Sequence, residues 1–281
     1  MKKITSIFLA LFMLALLPHT CAYADKTVSV EGTDLWLTLP DDMLVITLAT
    51  DTDDEVWGYL DMNPDEALEM MRDIKTYMYA YPQDFSGVLY VTCRSDNGTA
   101  SVYDFSLYDD ETVLSSFSDT EEIAHDASSL MEDTGIEAAL HDVSLYEHNG
   151  IKYVRYMTEF TYEGDVFSGQ CYCTMYNGCS VQIIYQSYVG ELSAEDLAFL
   201  QSVVDGAVYA PRREPAEPTL ADEMNESPQI RALKAAFDPG SILTDAIIGA
   251  IIGGGVYAVT KLTKRGTNSA KREENEQKLR K

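Results

Sequence analysis

Between His141 and Tyr188 the chain runs through the β-branched and aromatic segments IKYVRYMTEFTY and SVQIIYQSY, punctuated by Asn149-Gly150, Glu163-Gly164 and Asn177-Gly178. Asn-Gly tolerates the positive φ that both central residues of a two-residue hairpin require. The flanking segments favour a pleated, half-buried surface. The stretch therefore predicts four antiparallel strands joined by tight turns, and with it an α+β domain built on a meander.

If each turn holds two residues, the register sorts the side chains into two faces. One face carries Val143, Leu145, Val154, Tyr156, Phe160, Phe167, Cys171, Cys173 and Ile184 and reads as core. The other carries Tyr146, Tyr153, Arg155, Met157, Tyr172, Ile183 and Tyr185, a mixture of rings and polar tips common at recognition surfaces. Tyr146, Tyr153, Arg155, Met157, Tyr172 and Tyr185 are the candidate binding residues if that face is open. If a helix covers it, they form a packing layer instead.

Upstream, Thr27 to Leu39 predicts two short strands around Glu31-Gly32, closed by Pro40, and Met43 to Ala49 predicts a third. Asn63-Pro64-Asp65-Glu66 is a helix start, with Leu68, Met71, Ile74 and Met78 along one stripe and Pro82 ending the element. Asn97-Gly98 between Val88–Cys93 and Ser101–Phe105 predicts a further hairpin. Ser118-Asp119-Thr120-Glu121 and Ser193-Ala194-Glu195-Asp196 read as capping boxes. The helix after the first should bury Ile123, Ala127, Leu130 and Met131 and stop at Gly135; the helix after the second should bury Leu197, Leu200, Val203 and Val204. The expected fold is thus an antiparallel sheet with three packed helices.

The two ends are apolar. Lys2 and Lys3 precede Ile7 to Leu17, and Ala22-Tyr23-Ala24 predicts signal-peptide cleavage before Asp25. Cys21 opens a lipid-attachment alternative, for which Pro18-His19-Thr20 is a poor lead-in. Residues 241–261, centred on ILTDAIIGAIIGGGVYAVT, are about long enough for a bilayer core. The basic tail 262–281 after them predicts a cytoplasmic end. Asp245, four glycines and Tyr257 leave a buried or interfacial helix as the alternative. Gly249 and Gly253 form a GxxxG pair, and Ala246, Ala250 and Gly254 a second row of small residues, which suits a homodimer or a partner helix.

The expected organisation is a signal peptide over 1–24, an extracellular α+β domain over 25–210, an acidic proline-containing linker over 211–240, the membrane segment and the tail. Residues 25–240 hold 42 acidic and 10 basic side chains, a net charge of −32. Such a surface repels nucleic acid and anionic headgroups, so the partners expected are the membrane and an extracellular ligand, with no nucleic acid.

The order of elements resembles the PsbP-like superfamily: an N-terminal hairpin with Trp36 ending in Leu39-Pro40, helices, the meander with HNGIKY and YNGCSVQIIY, then the capped helix from Ser193. The run from Asp51 to Tyr81 resembles an elaboration in anchored proteins of Gram-positive bacteria. The resemblance implies a binding or assembly domain and brings no catalytic residues with it.

Chemistry for catalysis is sparse. No G-x-S-x-G, H-E-x-x-H or phosphate-binding glycine loop is present, and no cofactor or metal is expected. Asp51 to Glu55 lacks the pattern of a calcium loop. Cys171 and Cys173 lie two apart on one strand, too far to bridge each other, and the register points Cys179 to the opposite face. A bond from Cys93 to Cys171 or Cys173 is conceivable. The expectation is a membrane-anchored extracellular binding or assembly module and not an enzyme. The alternatives are a thiol- or metal-dependent surface enzyme using Cys93, Cys171 and Cys173, and an accessory subunit of a membrane complex.

Overall fold

The computed structural model describes residues 25–130, 136–162, 165–215, 240–251 and 253. The expected signal peptide, the Glu163-Gly164 turn, residues 216–239, Gly254 and the basic tail lie outside the described residues. Strands β1 (Asp25–Val30) and β2 (Leu35–Pro40) pair as the expected N-terminal hairpin, and β10 (Val208–Tyr209) joins β2 to complete a small sheet. The larger sheet has seven strands in the order β3-β4-β5-β9-β8-β7-β6: β3 is Leu44–Thr47, β4 Thr76–Tyr81, β5 Gly87–Arg94, β6 Glu137–His148, β7 Ile151–Tyr162, β8 Asp165–Tyr176 and β9 Cys179–Ser187.

The meander has the predicted register from Ser144 onward; before it a bulge at Asp142 and Val143 shifts the pairing by one, so that His141 faces Met157. Asn149 and Gly150 adopt φ of 50° and 72°, Asn177 and Gly178 52° and 81°, the left-handed pairs that a two-residue hairpin needs. Tyr162 pairs with Asp165, leaving two residues for the intervening turn. Every residue assigned to the core face lies in, or packs against, one apolar cluster.

Helices cover that face: α1 (Val56–Leu60), α2 (Pro64–Asp73), α3 (Asn97–Val102), α4 (Asp110–Ser115) and α5 (Thr120–Leu130), together with α7 over 240–251. The other face packs on β1, β2 and β10 and on α6 (Ala194–Asp205), forming a second core. The body is a three-layer α+β sandwich, with more helices than the sequence predicts.

Three local expectations are corrected. Asn97-Gly98 does not turn a hairpin: Asp96 caps Thr99 in a capping box, and residues 97–102 are helical, followed by a short 3-10 turn at Phe105–Leu107. The reciprocal bonds of Asp96 and Thr99 satisfy orphan helix donors, and this local gain outweighs the turn preference of Asn-Gly. The stripe through Met78 is broken, because α2 stops at Asp73 and Lys75 turns left-handed at φ 58°. Thr76–Tyr81 then runs as a strand, with Met78 in the opposite core. Asn63 nonetheless caps α2 as expected, accepting from the amides of Asp65 and Glu66. In α5 the capping contact comes from Asp119, which accepts from the amide of Glu122; Leu130's side chain, Met131 and Gly135 lie outside the described residues.

The start of the expected linker belongs to the body. Arg212 donates through Nε to the buried carboxylate of Asp104 at 2.9 Å and lies over the ring of Tyr176. Arg213 pairs with Asp34, and its amide donates to Asn177 at 2.9 Å. These contacts tether the chain as far as residue 213.

Candidate functional site

The helix-facing side of the large sheet carries a cross-strand row of Tyr79, Tyr90, Ile184, Cys171 and Tyr156, each paired with the next. The neighbouring row is Thr92, Gln182 and Cys173. Phenols on a buried face need a partner for each hydroxyl. Tyr156 donates to Gln182 Oε1 at 3.0 Å, and for Tyr79, Tyr90 and Tyr188 the partners are carbonyls of α7. Tyr90 donates to Ala246 O at 2.6 Å, Tyr79 to Gly249 O at 3.0 Å and Tyr188 to Ala250 O at 3.0 Å, while Gln182 Nε2 reaches Ile242 O at 3.2 Å. A carbonyl has two lone pairs, so one engaged along a helix can accept a second donor where no side chain blocks the approach.

Small residues provide that access. A Cβ on Gly249 would stand 2.8 Å from Tyr90 Cε2, and one on Gly253 would stand 2.9 Å from Tyr188 Oη. Ile242, Leu243, Ala246, Ile247 and Ala250 are all buried, whereas Asp245 is half-buried and 3.9 Å from Arg94 at the sheet margin. Burial pushes the phenols of Tyr79, Tyr90 and Tyr188 well above their ordinary pKa, so they remain neutral donors. The site is a groove that reads the backbone of a small-residue helix through three tyrosine hydroxyls and one amide.

The expected helix-packing residues are therefore brought together, but against the protein's own sheet: Ala246, Gly249, Ala250 and Gly253 meet Tyr90, Tyr79 and Tyr188. No helix among the described residues is long and apolar enough to cross a membrane.

The expected binding face is covered. Tyr153, Tyr172 and Tyr185 are buried in the second core, with Tyr153 set edge-on to Tyr172 and Tyr185 edge-on to Phe199 of α6. Tyr146, Arg155 and Met157 are half-buried: Tyr146 bonds Asp205 of α6, Arg155 bonds Ser144 at 3.2 Å, and Met157 accepts from Gln170 at 3.4 Å. The packing-layer reading of this face is the one the structure adopts.

The thiols separate. Cys171 and Cys173 lie in the helix-side core, and burial raises both pKa values, that of Cys173 to about 12. Cys93 lies in the other core, so a bridge from it to Cys171 or Cys173 would have to pass through the sheet. The conceivable pairing is corrected on that ground, and Cys171 and Cys173, fully buried in the middle of the sheet, are poor nucleophiles. Among the described residues, no three His, Cys, Asp or Glu side chains converge to hold a metal ion.

No family model and no curated protein matches the chain. Among solved structures, it is similar to the solution structure of cyanobacterial PsbP from Synechocystis, at 8% identity and a TM-score of 0.40, over 68% of this chain and 96% of that one. It is also similar to a crystal structure from Bacteroides thetaiotaomicron, at 11% identity and a TM-score of 0.31, over 65% of this chain and 46% of the other. Likenesses this remote carry no argument about function.

Proposed function

We propose that the chain is a membrane-anchored binding or assembly module, displayed outside the cell on a PsbP-like α+β body, whose working surface is the groove of Tyr79, Tyr90, Tyr188 and Gln182. The observation that carries this reading is the set of side-chain donors aimed at consecutive turns of a small-residue helix. Groove and bilayer compete for segment 241–261. Docked, Ala246, Gly249, Ala250 and Gly253 lie on the tyrosines; inserted, the whole segment crosses the membrane, the basic tail lies inside, and the groove opens to a small-residue helix of an assembly partner. The acidity of residues 25–240 supports the outward placement of the body, since it keeps that body from adhering to anionic headgroups. The chemistry is recognition and not catalysis.

Each hydroxyl contributes about 1 kcal/mol net to docking. Replacing Tyr79, Tyr90 and Tyr188 together by phenylalanine should therefore shift the equilibrium toward insertion on the order of 100-fold. The measurement is trypsin protection of the lysines and arginines of 262–281 on adding phosphatidylcholine vesicles. The triple variant should show protection at far lower lipid concentration than the parent. Equal protection in the two proteins would remove the competition, and no protection in either would remove the anchor.

A further inference from the structure

Cys93 and Cys179 lie outside the groove and were set apart by no sequence motif. Strand β5 pairs with β9 so that Cys93 faces Val181 and Arg94 faces Ser180. Cys179, two residues before Val181, therefore shares a sheet face with Cys93 on the adjacent diagonal. The Cys93 amide donates to Lys75 O at 3.0 Å, on the side away from β9. Cys93 and Val181 thus form a non-hydrogen-bonded pair, the kind in which side chains approach most closely, and the right-handed twist draws this diagonal together.

Cys93 lies within the second core and Cys179 packs against it. Cys93 is buried, Cys179 is half-buried at the first position of β9, and β5 ends one residue beyond Cys93. Strand ends can shift slightly to reach bonding geometry, whereas the middle of a seven-stranded sheet cannot. Cys171 and Cys173 lie across the sheet and cannot compete.

We infer that Cys93 and Cys179 are a reversible dithiol–disulfide pair, Cys179 being the solvent-reachable attacking thiol and Cys93 the resolving one, with small-molecule disulfides as the co-reactant. The Cys179 thiolate attacks one sulfur of a glutathione disulfide, forming a mixed disulfide and expelling one glutathione thiolate. With Cys179 capped, the interaction that held the Cys93 proton is gone; the strand end opens, Cys93 loses that proton to entering water, and its thiolate attacks the Cys179 sulfur. The protein disulfide forms and the second glutathione leaves as thiolate, so the protein loses two electrons and the glutathione disulfide gains them. Hydrogen bonds from the Cys93 thiol and from Ser95 favour the Cys179 thiolate and hold its pKa well below the ordinary thiol value, whereas Cys93 is held up by its bond to Cys179 and by burial.

The full chain is equilibrated in reduced and oxidised glutathione, quenched in acid, alkylated and cut with chymotrypsin. Cleavage after Tyr172 and Tyr176 separates Cys171, Cys173 and Cys179 onto different peptides. The expected product is a Cys93–Cys179 linked peptide, reversed by excess reduced glutathione, with Cys171 and Cys173 alkylated only after unfolding. In C93A, Cys179 should stop at the glutathione adduct, and its alkylation rate should reach half-maximum at higher pH than in the parent. The inference is overturned if the parent itself stops at the adduct, if Cys179 does not react, or if the alkylation midpoint is the same in both proteins. The peptide map of the parent decides the pairing whether or not C93A folds.

Discussion

Replacing Gly249 with valine is expected to lower the stability of the whole body by about 3 kcal/mol, the upper range for forcing extra carbons into a packed interface. The first added carbon would stand 2.8 Å from the ring of Tyr90 and 3.4 Å from Thr76 Oγ1, and Tyr90 is itself wedged between Tyr79 and the helix. Displacing α7 also uncovers Tyr79, Val88 and Tyr90, which are fully or almost fully buried. For a body of this size the thermal midpoint should fall by about 8 °C. Gly58 in α1 provides the control, because a Cβ there meets nothing within 4 Å. Its alanine variant should gain about 0.5–1 kcal/mol from reduced backbone freedom. Valine is more apolar than glycine, so G249V should not impede entry into lipid. An unchanged melting temperature in G249V would mean that the helix does not occupy the groove.

The second large effect is on the opposite face. Tyr153 is 1% exposed, with its ring against those of Tyr146, Tyr172 and Tyr209. Truncation to alanine should cost about 3–5 kcal/mol, the range for removing a large ring from a packed core. In urea the midpoint should move far below that of the parent with little change in slope. Had this face been an open recognition patch, the same change would alter binding and leave stability within about 0.5 kcal/mol. Near-parent stability of Y153A would restore the recognition reading of Tyr146, Tyr153, Arg155, Met157, Tyr172 and Tyr185.

The two faces differ in how much of their packing is local in sequence. Period-two alternation and two Asn-Gly turns define the meander strongly, because a one-residue slip would turn every core side chain outward. The core face from Val143 to Ile184 followed correctly from that register. What lies on the other side depends on residues far away in sequence, the hairpin at Asp25–Pro40 and the helix at Ala194–Asp205, and no local pattern reports their docking. Asn97-Gly98 misled because the dipeptide suits both a turn and the first turn of a helix. The Asp96-x-x-Thr99 spacing was the signal that separates the two.

Segment 241–261 is ambiguous for a deeper reason. A helix that is apolar all round suits either a lipid core or a protein core, and periodicity does not distinguish them. Small residues on one stripe admit a partner backbone or an aromatic ring equally well. The deciding groups, Tyr79, Tyr90, Gln182 and Tyr188, lie on three different stretches of chain, and only the order β4-β5-β9 places them side by side. Asp245 carries the same lesson, since the charge that could have sought headgroups instead faces Arg94 at the sheet margin. The thiols follow suit: Cys93 is brought to the diagonal of Cys179 by a strand pairing between β5 and β9 that no spacing in the sequence encodes.

Amide hydrogen exchange of residues 242–251, measured on the full chain in lipid-free buffer, tests the groove most directly. Docking predicts that these amides exchange far more slowly than solvent-exposed backbone, because they open only when the helix leaves the groove. Exchange as fast as that of solvent-exposed backbone, with β5 and β9 still protected, would contradict the account.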